Sequence, residues 1–160
     1  YFQAIDAQAD WDSIKAFLQK IEYGNQQIGS DLELYWTDFS LKISPIEQIE
    51  LLKKFHDNAF SFGPQNIAAV KDAIRLSSTK EGSFYGKTGT GRVDGRDVNG
   101  WFIGYVEKAE NVYYFAANIQ GEAGATGSRA AAITASVLSD LQIWSQSERE
   151  VNYLFYGFPR

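Results

Sequence analysis

The sequence predicts an α+β fold in which helices cover an antiparallel sheet, and three observations lead there. Residues 10–74 carry helical periodicity with clear starts and stops. From residue 83 the pattern switches to runs of Phe, Tyr, Trp, Val and Ile. A final helical stretch follows from residue 128. Helices, then three strands, then a helix is the order of an α+β domain.

The elements follow in chain order. In "DWDSIKAFLQKIEYGN", Ile14, Phe17, Leu18 and Ile21 recur at i, i+3, i+4, i+7, an amphipathic helix stopped at Gly24. "SDLELYWTDFSLKI" is mixed and aromatic and reads as a partly buried loop. "SPIEQIELLKKF" opens a second helix, with Ser44 as N-cap, Pro45 at N1 and Glu47 completing a capping box. A third helix runs from about Pro64 to Ile74 with Ile67, Val70 and Ile74 inward. Strands are expected at 83–87, 99–107 and 111–119. The last two are joined as a hairpin by the polar link Lys108–Asn111. "GEAGATG" is a loop, and "SRAAAITASVLSDLQI" is a helix with Ile133, Val137, Leu138 and Leu141 inward. The stretch 145–160 shows no usable period.

Composition excludes several classes. With 160 residues, 44% apolar and 15% aromatic, the chain can form one domain with a core. A net charge of −5 argues against nucleic acid, which needs a basic face. No apolar run approaches a membrane span. Without cysteine there is no thiol chemistry. A single histidine, His56, rules out a multi-histidine metal site and reads as a helix-terminal surface residue. No metal and no cofactor are expected.

The densest unusual stretch is "GSFYGKTGTGR", residues 82–92. A phosphate loop would need a glycine where Glu81 stands and a helix after Lys87-Thr88, but a strand follows. A plain turn accounts for Asp94-Gly95 in "RVDGRD", not for Lys-Thr-Gly at the end of an apolar strand. The third reading is acyl transfer. An ammonium and a hydroxyl can hold a substrate carboxylate. The strand edge can pair with a substrate amide, and a backbone N–H can face an oxyanion. Gly89 lets that backbone approach closely.

"YGKTGTGRVDGRDVNGWFIGYVE" followed by "YYFAANIQ" resembles the K-T-G strand and hairpin of class D β-lactamases. It equally resembles the related β-lactam sensor domains of Gram-positive receptors. Tyr23-Gly24-Asn25 matches the Y-G-N triplet, "LYWTDFSLKIS" the loop-tryptophan segment, and Arg129 in "TGSRAAAIT" a basic residue near the substrate carboxylate. The resemblance covers about residues 1–144 as one C-terminal domain part, with 145–160 as a tail. It implies the penicillin-recognising, β-lactamase/transpeptidase-like fold.

The resemblance also implies roles. Lys87 and Thr88 lie beside the reacting carbonyl and the β-lactam carboxylate. Thr90 offers the oxyanion N–H and, with Arg129, helps hold the carboxylate, with Gly89 between. Trp36 donates its indole N–H to a carbamylated lysine, the general base. Tyr23 and Asn25 support the site. Trp36 is otherwise a core aromatic, and Arg129 a solvated helix-start residue.

The family's nucleophile and base sit in an S-x-x-K motif on a helix. The literal match Ser77-Ser78-Thr79-Lys80 falls in what reads as a helix-to-strand loop and is not expected to serve. The chain is expected to start just after the family's S-x-V triplet, at Tyr1-Phe2-Gln3. It would then need the missing N-terminal half as partner, and alone would neither hydrolyse nor covalently bind a penicillin. The leading expectation is β-lactam hydrolysis through a serine acyl-enzyme. The alternatives are a sensor that is acylated without turnover and a non-catalytic remnant. The implied location is extracellular or cell-envelope, with a membrane only as part of a receptor.

Overall fold

The computed structural model describes residues 10–29 and 40–145. They fall into two compact units, divided between Ser61 and Phe62. The expected loop through Trp36 and the stretch beyond residue 145 lie outside the described residues.

The first unit holds α1 (Trp11–Lys20) and α2 (Pro45–His56). Asp10 caps α1 by accepting the Ser13 N–H at 2.8 Å. The helix stops earlier than the sequence suggests. Glu22 already takes the left-handed conformation (φ 55°), two residues before Gly24 (φ 44°), and the Tyr23 N–H returns to the Leu18 carbonyl at 2.9 Å. Leu18 and Ile21 are buried, whereas Phe17, one step round the helix, is 48% exposed. In α2 the expected capping box is present. Ser44 Oγ accepts the Glu47 N–H at 3.2 Å and Glu47 Oε2 accepts the Ser44 N–H at 2.8 Å. His56 ends this helix, 3.1 Å from Asp57.

The second unit begins with α3 (Pro64–Ile74), which runs directly into β1 (Arg75–Thr79). No residue of α3 is buried, and Val70 is exposed rather than inward. There follow β2 (Gly82–Val93), β3 (Arg96–Lys108), β4 (Asn111–Gln120) and α4 (Gly127–Asp140). The strands form an antiparallel meander in the order β1-β2-β3-β4. Among the described residues there are four strands where the sequence predicts three. "SSTKEG" is a strand and turn rather than a loop, missed because Ser-Ser-Thr carries no apolar alternation. Asp94 and Gly95 both have positive φ (49° and 74°), the geometry of a two-residue hairpin turn.

One sheet face and α4 enclose the core of this unit. Phe84, Phe102, Val106, Ala130, Ala131, Leu138 and Trp144 are buried there. Ile133 and Val137 of α4, and Leu141 that caps its end, point outward instead of inward, at 48, 48 and 62% exposure. The buried side of α4 is Gly127, Ala130, Ala131, Thr134 and Leu138. The reason is volume. The sheet supplies the bulk through Phe84, Phe102 and Phe115, whose ring centroids lie 5.0–6.1 Å apart. A helix lying close over such rings has room only for small side chains. The one buried hydroxyl on it, that of Thr134, donates to the Ala130 carbonyl at 2.9 Å.

The opposite sheet face carries a row of tyrosines. Tyr85 stacks on Tyr105 at 4.7 Å, and Tyr105 lies 5.9 Å from Tyr114. Lys71 of α3 sits 5.9 Å from the Tyr105 ring centre and 3.6 Å from Glu107.

Candidate functional site

The K-T-G residues occupy the middle of β2, where strand alternation sorts them onto two faces. Thr88 and Thr90 join Phe84 on the α4 side. Lys87 and Gly89 join Tyr85 on the tyrosine side. Lys87 is exposed, and its Nζ donates to the Thr88 carbonyl at 2.6 Å. Gly89 pairs with Trp101 in register, and among the described residues the only atom near the place a Gly89 side chain would occupy is Trp101 Cβ, at 3.7 Å.

β1 pairs with β2 only over Gly82–Tyr85. Beyond Tyr85, that side of β2 has no strand partner among the described residues, so the Lys87–Thr90 backbone lies on an edge. An edge of this kind can accept an extended polar ligand as an additional strand. Deeper in the sheet, Asn118 Nδ2 donates to Asn99 Oδ1 at 2.6 Å and Gln120 Nε2 donates to Asn118 Oδ1 at 2.9 Å. This amide row flanks Trp101 and fixes its neighbours.

On the other face α4 begins directly on the strand. The Gly127 N–H donates to Thr90 Oγ1 at 2.9 Å. A Cβ on Gly127 would lie 2.6 Å from the Gly89 carbonyl oxygen and 2.9 Å from both Gly89 N and Thr88 Cβ. Gly100 of β3 meets the Thr126 carbonyl in the same way. Thr126 caps the helix by accepting the Arg129 N–H at 3.1 Å. Arg129 itself is exposed, two residues after Gly127, with its guanidinium near Gly124.

The structure thus brings Thr88, Gly89 and Thr90 against the start of α4 and sets Lys87 on the reverse face. Sequence reasoning missed Gly127 and Thr126, which hold this junction. The available signal was Thr126 standing three residues before Arg129, an N-cap spacing. Trp36 lies outside the described residues.

Ser77, Ser78 and Thr79 lie on β1 and Lys80 in the turn after it, so no helix puts Ser77 and Lys80 on one side. Ser78 Oγ is 2.9 Å from Ser83 Oγ across the hairpin.

Tyr23 and Asn25 belong to the first unit. Asn25 is a clamp: Nδ2 donates to the Ser40 carbonyl at 2.8 Å, and Oδ1 accepts the Lys42 N–H at 2.9 Å. The Asn25 N–H in turn donates to the Lys42 carbonyl at 2.9 Å. Burial pushes the Tyr23 phenol up from its ordinary value. Tyr105 is likewise raised, first by burial and then by the charge of Glu107 and the neighbouring tyrosines.

Comparison with known proteins adds to this geometry. The family model described as the penicillin binding protein transpeptidase domain matches residues 1–139. Regulatory protein BlaR1 of Bacillus licheniformis is 46% identical over 149 residues, which cover 93% of this chain and 25% of that protein. The methicillin resistance mecR1 protein of Staphylococcus aureus is 38% identical over 143 residues, 89% of this chain and 24% of that one. The β-lactamase OXA-10 of Pseudomonas aeruginosa is 32% identical over 120 residues, 74% of this chain and 45% of that one. Among solved structures, the C-terminal domain of the Bacillus licheniformis BlaR penicillin-receptor superposes with a TM-score of 0.84 at 48% identity. That match covers 90% of this chain and 58% of the solved domain. The chain thus spans about a quarter of the curated receptors and somewhat over half of the solved domain.

Proposed function

The chain belongs to the penicillin-binding-protein transpeptidase-domain family, in the group of class D β-lactamases and BlaR1/MecR1 sensors, and from that premise we propose that it is the K-T-G-bearing part of a β-lactam sensor domain. The observation that carries the recognition chemistry is the open β2 edge at Lys87–Thr90, with α4 seated behind it. A β-lactam lying along that edge would pair its amide with the strand. The Lys87 ammonium would stand beside its carbonyl, and Thr88 and Arg129 would hold its carboxylate. The Thr90 N–H would face the developing oxyanion, and Trp36 would serve the carbamylated base. Tyr23 and Asn25 would act as supports.

The sensor reading is favoured over hydrolysis by identity. The two receptors match at 46% and 38%, the lactamase at 32%. The sequence-based order, lactamase first and sensor second, is therefore reversed. The family's acylated serine is expected from a segment other than these 160 residues, since Ser77-Lys80 lies on a strand and turn. A receptor of this kind would display the domain on the outer face of a membrane. Among the described residues no helix is long and apolar enough to cross one.

The test is titration of the chain with benzylpenicillin, followed by amide resonances and by intact mass. We expect reversible shifts at Lys87–Thr90, weakened about tenfold in Lys87→Ala, the size of one charge-assisted hydrogen bond. No acyl adduct is expected on the chain. A titration that leaves the β2 edge unshifted would end the β-lactam reading. Turnover of nitrocefin by the chain would end the sensor reading.

A further inference from the structure

Thr90 is placed by family resemblance at the ligand through its backbone, yet its side chain points the other way, into the start of α4. The first N–H groups of a helix have no partner within the helix. In α4 they are met from two sources. Thr126 takes the Arg129 N–H through its hydroxyl and the Ala130 N–H through its carbonyl, at 3.1 Å each. The Gly127 N–H is taken by Thr90, thirty-seven residues away in sequence. That bond crosses a junction with no side-chain layer. Gly127 rests on the Gly89 backbone and Thr88 Cβ, and Thr126 on Gly100. The helix start therefore cannot settle closer to the strand, and the Thr90 hydroxyl keeps it from lifting away.

We propose that Thr90 is a positioning residue whose hydroxyl, by accepting the Gly127 N–H, holds the first turn of α4 and with it Arg129 in register with the K-T-G edge. The inference rests on the reading of Arg129 as a carboxylate group of the β-lactam site and adds to it. Arg129 lies on the turn that this bond fixes, two residues after Gly127. Without the bond the guanidinium keeps its charge, but the turn that carries it is no longer tied to β2 through Thr90. A valine at position 90 has the shape of threonine and no acceptor, whereas serine retains the acceptor.

The experiment compares wild type, Thr90→Val, Thr90→Ser, Arg129→Ala and the Thr90→Val/Arg129→Ala pair. Hydrogen exchange at the Gly127 amide is the first measurement. It should quicken about fivefold in Thr90→Val, the worth of one ordinary hydrogen bond, and stay near wild type in Thr90→Ser. The second is the affinity ratio for benzylpenicillin over its methyl ester, read from amide shifts. A merely structural role for Thr90 would weaken both ligands alike and leave this ratio unmoved. We expect Thr90→Val to lower the ratio, Thr90→Ser to restore it, and the double variant to fall no further than Arg129→Ala. If Arg129→Ala lowers the ratio and Thr90→Val does not, the positioning role is overturned while the site reading stands. If Gly127 exchange quickens but Arg129→Ala leaves the ratio unchanged, the bond holds the helix and the carboxylate reading fails. If Thr90→Val does not fold, Thr90→Ser and Thr90→Ala are compared by the same two measurements, and equal values for them overturn the proposal.

Discussion

Replacing Gly127 by alanine tests the seat of α4 on the K-T-G strand. The added Cβ would meet the Gly89 oxygen at 2.6 Å, and Gly89 N and Thr88 Cβ at 2.9 Å. All three are fixed by the β2 ladder, so none can swing aside as the end of a long side chain would. Relief requires the helix to move off the strand or the strand to bend. Overpacking of this kind costs about 1–3 kcal/mol. Alanine's better helix propensity returns at most about 1 kcal/mol. The net loss should be about 1–2 kcal/mol. With a urea slope of about 2 kcal/mol per molar, the midpoint falls by roughly 0.5–1 M at unchanged slope. Gly121→Ala is the control, because the nearest atom to its new Cβ, the Ala123 oxygen, is 3.7 Å away. That variant should stay within about 0.5 kcal/mol of wild type. A Gly127→Ala midpoint at or above wild type, or an equal drop in both variants, would refute the close seating.

Two further outcomes follow from the packing. Leu138→Ala should cost about 2–5 kcal/mol and Val137→Ser less than about 0.5 kcal/mol, although the residues are adjacent and both apolar. Comparable losses measured by thermal denaturation would mean that α4 is turned otherwise. Alkaline pH should destabilise the chain through the buried tyrosines. Tyr105 is held protonated above its ordinary value of 10.0, mainly by burial. Its contribution is full below pH about 10 and is lost as pH rises further, because the unfolded chain releases the proton first. Tyr105→Phe should flatten the fall of the urea midpoint above about pH 10, and an unchanged slope would count against this account.

Much of the architecture was legible because it rests on local chemistry. Ser44-Pro45-Glu47 states a helix start in three residues, and Asp94-Gly95 states a hairpin turn in two. What was illegible depends on what lies across the fold. Alternation alone cannot reveal β1, whose Ser-Ser-Thr is held by pairing with Gly82–Tyr85. The periodicity of α4 marks two stripes, one of Ile and Val and one of Ala and Thr. Only the phenylalanines of the facing sheet decide that the smaller stripe goes inward. The site divided in the same way. Lys87-Thr88-Gly89 is a motif and can be read. The Thr90–Gly127 bond joins residues far apart in sequence and leaves no local trace.

The meander has a kinetic consequence. Each strand pairs with its immediate successor, and the hairpins close through very short turns at 80–81, 94–95 and 109–110. Such closures carry little loop entropy, and individual hairpins form in about 1–10 μs. The sheet that carries Lys87 can therefore assemble by successive local steps, each presenting an edge to the next strand. Arrival of α4 is among the least local steps of the described elements. It joins residue 127 to residue 90 and covers Phe84 and Phe102 only once both strands are in place. Substitutions in the turns should thus alter the rate of folding, and substitutions under α4 the rate of unfolding.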